Sequence, residues 1–108
     1  MSESTLSEQL AQVKEVAMKR GLHTRRDRRL LKTPYRAMNP RAARELHQPY
    51  IPKTLTYTLS NRRPKHRLVM DLRHELVEYV MMGRGHCYKT AHRVANREQL
   101  DRTPEFEL

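Results

Sequence analysis

At 108 residues with a single cysteine, the chain is at most one small domain and holds no disulfide framework. Its formal charge of +10 and pI near 10.4 call for a polyanionic partner, and no apolar run approaches membrane-spanning length. Leu, Ile, Val and Phe make up only 21 of the 108 residues, just under the level at which a highly charged chain offsets its ordering entropy. The composition therefore predicts a protein mostly disordered when free, with short helices (about 5–20, 24–33, 67–82 and 87–98) joined by extended linkers that order on RNA and protein partners.

The first segment, "TLSEQLAQVKEVAMKRG", reads as a helix. Thr5 and Glu8 fit a capping box and Gly21 a C-terminal stop. Leu6, Leu10, Val13 and Ala17 fall on one face with Val16 beside them, a modest apolar stripe that needs a partner surface. Residues 1–21 are thus expected to form an N-terminal amphipathic unit.

Next comes "HTRRDRRLLKTPY". Residues 19–67 carry fifteen Lys and Arg against Asp27 and Glu45, for +13, whereas residues 1–18 carry -2 and residues 68–108 carry -1. Thr24 is an N-cap for a short helix that Pro34 stops. Helical geometry puts Arg25, Arg28, Arg29 and Lys32 on one face with Arg26 beside it, while Asp27, Leu30 and Leu31 face away. A solvated charged stretch is the plain alternative. Three features favour RNA: the arginines share a face, Tyr35 follows them, and a second basic cluster lies elsewhere. Guanidinium groups match phosphate oxygens bidentately, and their planes and a tyrosine ring stack on unpaired bases.

Residues 34–53 contain four prolines and read as extended linker with one helical turn at "PRAAREL". "KTLTYTLS" alternates Leu55, Tyr57 and Leu59 with threonines, as a strand or a groove-binding peptide does. "NRRPKHR" adds basic charge. From Arg67 to about Met82, Leu68, Val69, Leu72, Leu76, Tyr79 and Val80 form the main stripe of a helix, with Met70, Val77 and Met81 in a second strip. "GRG" breaks it, and "HCYKTAHRVANREQL" forms a weaker basic helix.

No sequence constellation for catalysis stands out, so a non-enzyme is expected. His86, Cys87 and His92 raise the thought of zinc, but no CxxC or HxxxH spacing accompanies them. No cofactor and no metal ligand are assigned. The pair of helices at 67–97 raises a helix-turn-helix DNA-binding alternative, with "YKTAHRVANR" as recognition helix. A basic ribonucleoprotein component is a further alternative. The unpaired thiol and missing signal-peptide core predict a reducing intracellular compartment.

Three blocks, "TRRDRR", "YRAMNP" and "LSNRRPKHR", stand in the order and approximate spacing of the antitermination N proteins of lambdoid bacteriophages, and "RGLHTRRDRR" also resembles the related exclusion protein Nun. The resemblance covers roughly residues 21–67. It implies an arginine-rich RNA-binding segment at 22–40 that binds a boxB-like hairpin in the nascent transcript through Thr24, Arg25, Arg26, Arg28, Arg29 and Lys32, with Tyr35 where the family places a stacking aromatic. It implies a linker and NusA-contacting segment at 41–67, with Leu59, Asn61, Arg62, Arg63, Pro64, Lys65 and Arg67 at the contacting positions. Residues 68–108 correspond to the RNA polymerase-binding region. A transcription antitermination factor in the cytoplasm of a bacterial host follows as the expectation. The Arg run is shorter than the family pattern, and Pro34 interrupts the interval to Tyr35.

Overall fold

In the computed structural model, which describes residues 5–33, 35–58 and 65–100, helix α1 spans Leu6–Lys19. Thr5 and Glu8 form the capping box: the Glu8 amide donates to Thr5 Oγ1 at 3.2 Å, and the Thr5 amide donates back to Glu8 Oε1 at 3.4 Å. The helix ends in a Schellman motif. The Leu22 amide reaches the Ala17 carbonyl and the Gly21 amide the Met18 carbonyl. That closure needs a left-handed residue, which Gly21 supplies at φ 75°, and it turns Leu22 into the core beside Val13 and Ala17.

Where a helix over 24–33 is expected, the chain forms two short pieces. Strand β1, Thr24–Arg26, is followed by a 3-10 helix at Arg28–Lys32. The break lies at Asp27. Its backbone is extended at φ -136°, and its carboxylate caps the 3-10 turn by accepting from the Arg29 amide at 2.9 Å. Long-range strand pairing has overridden a weak local helix preference.

Strand β2 is Ala37–Met38, helix α2 Pro40–Glu45 and strand β3 Leu55–Tyr57. The sheet order is β1-β3-β2, with β1 parallel and β2 antiparallel to the central β3. Thr24 pairs with Leu55, Arg25 with Thr56 and Arg26 with Tyr57; Ala37 pairs with Tyr57 and Met38 with Thr56. The two-residue strand period then sorts the side chains. Leu55, Ala37 and Tyr57 join the main core on one face, and Met38 joins Leu30, Ala43 and Tyr50 in a smaller cluster on the other.

Helix α3, Lys65–Gly83, supplies the centre of the main core with Leu68, Val69, Leu72, Leu76, Val77 and Val80. A second Schellman closure at Gly85 (φ 99°) turns the chain into α4, Tyr88–Leu100. Contacts between His74 and His92, eighteen residues apart, show that α4 runs back along α3. The two helices pack against each other, and Ala91 and Ala95 of α4 are fully buried.

The expectation of a mostly disordered chain is overturned. The radius of gyration is 13.2 Å, against about 13 Å for a compact domain of this length; the helical turn expected at "PRAAREL" is α2, the strand reading of "KTLTYTLS" is β3, and residues read as extended linker supply β2. Counting Leu, Ile, Val and Phe underestimated the core. Ala17, Ala37, Ala42, Ala43, Ala91 and Ala95 are all buried, as are Met38 and Pro52, and the interior also accepts Asn39, Thr56, Thr58 and Glu78. Small side chains let helices and sheet approach closely, so less apolar volume is needed to close the core.

Candidate nucleic-acid interface

The sheet register divides the arginines of the basic stretch. Arg25 projects with Thr56 and Met38, while Thr24 and Arg26 project to the opposite face. Arg25, Arg26, Arg28, Arg29 and Lys32 are all exposed and Thr24 is half-buried. They do not form the single helical ridge expected of them. Leu30 and Leu31, both expected to face away, also separate: Leu30 is fully buried and Leu31 is 57% exposed.

Arg25 and Arg29 instead meet at a groove of about 230 Å³ whose walls include Tyr50, Lys53, Thr54 and Thr56. Asp27 organises it. Its carboxylate accepts from the Arg29 side chain, with Nε at 3.2 Å and Nη2 at 3.1 Å, and from the Tyr50 hydroxyl. The Arg29 guanidinium lies over the Tyr50 ring, 4.7 Å from its centroid, a cation–π arrangement. The Tyr50 hydrogen bond, then the Arg29 amide and guanidinium, hold the Asp27 carboxyl well below the usual carboxylate range. Burial, reinforced by the Asp27 hydrogen bond and charge, pushes the Tyr50 hydroxyl up. Asp27 remains ionised and Tyr50 neutral, so the cationic plane is fixed on its aromatic support.

The aromatic beside the arginines is Tyr50, not Tyr35. Tyr35 accepts a hydrogen bond from Gln48 Nε2 at 3.1 Å and lines another cavity with Leu46 and Tyr88. Sequence reasoning missed Tyr50 and Lys53 because both belong to the proline-rich segment read as linker. The alternation of β3 was the available signal, since a paired strand there brings its flanks to β1. Of the NusA-like positions, Leu59, Asn61, Arg62, Arg63 and Pro64 lie outside the described residues, as does the Lys65 side chain; Arg67 is exposed in the first turn of α3.

A second polar constellation joins α3, α4 and the start of α2. His74 Nε2 is 2.8 Å from Glu78 Oε2, His92 Nδ1 is 2.6 Å from the same oxygen, and the two ring nitrogens are 3.1 Å apart. Tyr88 Oη lies 3.2 Å from His92 Nδ1. Glu78 is 1% exposed. Asn39, whose side-chain oxygen caps α2 through the Ala42 amide, donates through Nδ2 to Glu78 Oε1 at 3.3 Å and to Glu75 Oε1 at 3.0 Å. Burial, then the neighbouring Glu78 charge, pushes the Glu75 carboxyl well above its ordinary range. Burial and the charges of Glu78 and Glu75 push Tyr88 up to about 12.

His92 was the residue weighed with His86 and Cys87, yet it turns towards α3, whereas Cys87 is exposed and 3.5 Å from Thr90 Oγ1. The missed signal was the recurrence of Asp71, His74, Glu75 and Glu78 at helical spacing inside an otherwise core-forming helix. No helix among the described residues is long and apolar enough to cross a membrane. Comparison of the chain with protein-family models, curated protein sequences and solved structures finds no match.

Proposed function

We propose that the chain is an RNA-binding protein that takes the backbone of a hairpin across the face formed by β1, the 3-10 helix and the segment before β3. The observation that carries this reading is the convergence of Arg25, Arg29 and Lys53 on one groove around Tyr50, with Arg29 already immobilised by Asp27. A guanidinium held before binding loses less side-chain entropy when it meets a phosphate. Arg26, Arg28 and Lys32 extend the positive field around it. The recognition element is a folded surface and not a helix that forms on the RNA.

The narrower reading is a transcription antitermination factor that acts on a boxB-like hairpin together with NusA and RNA polymerase in a bacterial host. It is supported by the order of the three sequence blocks.

Binding of a short RNA hairpin and of duplex DNA, measured by fluorescence anisotropy across a salt series, tests the proposal. Four or five phosphate contacts give a log–log salt slope of about -3, at roughly 0.7 per phosphate. The double substitution Arg25→Ala/Arg29→Ala is expected to reduce hairpin affinity by at least about tenfold, and Tyr35→Ala to change it little. Preference for duplex DNA, or an unchanged affinity in the double variant, refutes the interface. Readthrough of a terminator downstream of the hairpin, in transcription with RNA polymerase and NusA, tests the narrower reading.

A further inference from the structure

We propose that His74, Glu78 and His92 form a binding site for a divalent transition-metal ion of the zinc class, clamping α4 to α3. Three donor atoms converge: His74 Nε2, Glu78 Oε2 and His92 Nδ1, separated by 2.6 to 3.1 Å. With the Glu78 carboxylate ionised, no placement of protons on the two rings makes all three contacts attractive. If both ring nitrogens carry protons, each donates to Glu78 Oε2, but two N–H groups then face each other. If only one is protonated, the lone pair of the other faces the carboxylate oxygen at 2.6 to 2.8 Å. A cation at the centre satisfies all three lone pairs together. Zinc–ligand bonds of about 2.0–2.2 Å in tetrahedral geometry need donor separations of roughly 3.3 Å, so each separation opens by under about 0.8 Å.

The donor set selects the metal. Two imidazoles and one carboxylate suit Zn²⁺ and its neighbours, whereas Ca²⁺ and Mg²⁺ require oxygen ligands throughout. His74 and Glu78 lie one helical turn apart on α3, and Tyr88 and His92 one turn apart on α4. That spacing sets paired donors on the facing sides of the hairpin. Outer support is present. Asn39 holds Glu78 Oε1, which leaves Oε2 directed at the histidines. The Tyr88 hydroxyl closes the remaining side, beside His92 Nδ1. The clamp has a mechanical purpose. Among the described side chains of α4 the fully buried apolar ones are Ala91 and Ala95, with Val94 partly buried against the main core, so a bond across the hairpin adds to anchoring by small side chains.

The test uses the full chain, stripped with chelator and titrated with Co²⁺ and Zn²⁺. We expect one equivalent of Co²⁺ to give the visible d–d bands of tetrahedral coordination, one equivalent of Zn²⁺ to displace it, and the melting temperature to rise with metal concentration. His92→Ala alters a half-exposed side chain, and Glu78→Gln keeps the acceptor that Asn39 needs; each is expected to weaken binding by at least about 100-fold, more than loss of an outer-shell partner. The double variant His86→Ala/Cys87→Ser is expected to bind as the wild type does. Absence of tetrahedral bands in the wild-type protein, retention of the bands in folded His92→Ala, their loss in His86→Ala/Cys87→Ser, or preference for Ca²⁺ or Mg²⁺ overturns the proposal. The site shares no residue with the RNA-binding face, so hairpin affinity and metal binding fail or stand separately.

Discussion

Two adjacent leucines distinguish a folded basic segment from a solvated one. Leu30 is fully buried against Met38, Ala43 and the half-buried Tyr50, whereas Leu31 is 57% exposed. Truncating a buried leucine to alanine costs about 2–5 kcal/mol, and the lower half applies where the surroundings collapse into the gap. The Leu30 cluster is small and lies near the surface, so Leu30→Ala is expected to cost about 2–3 kcal/mol. For a domain of this size each kcal/mol moves the melting point by about 4–8 °C, giving a fall of roughly 10–20 °C. Leu31→Ala should stay within about 0.5 kcal/mol. Urea denaturation followed by circular dichroism reads both. Leu30→Ala should also loosen the neighbouring Arg29 and weaken hairpin binding under conditions where the variant remains folded. Equal effects of the two substitutions on stability would falsify the packing argument, because a solvated 3-10 turn makes no distinction between them.

The remaining expectations concern the backbone and the buried carboxylates. His47 adopts φ 53° at the end of α2, where its amide and that of Gln48 close the helix as Gly21 and Leu22 close α1; His47→Gly should therefore raise stability by about 0.5–1 kcal/mol in thermal melts, and a loss there refutes the strain argument. Asp27 has a depressed folded-state pKa, so its contribution is complete above its unfolded value of about 3.9 and is lost as pH falls towards the folded value. An acid titration of Asp27→Asn should show a shallower loss below about pH 4 than the wild type. Glu75 has the opposite sign: its folded pKa is raised, so ionisation weakens the fold as pH rises through that value. Glu75→Gln keeps the acceptor for Asn39 and should stabilise the protein more at pH 8 than at pH 5; a larger gain at pH 5 contradicts the assignment.

Helix ends and helix faces were legible from local sequence. Thr5 and Glu8, Gly21, and the spacing of Leu68, Leu72 and Leu76 each act within a few residues, so their consequences travel with the segment. The basic character of residues 19–67 was equally plain. Tertiary structure decided the rest. Asp27 cut the expected arginine helix because pairing of Arg25 with Thr56, thirty-one positions away, outweighs a few tenths of a kcal/mol of helix preference. Tyr50 lies under the Arg29 guanidinium because the segment leading into β3 is carried to β1, and His92 met His74 only because α4 folds back on α3. Sequence spacing reports neighbours along one element. Contacts between elements depend on register and on close approach through alanines, and those are settled only when the core closes.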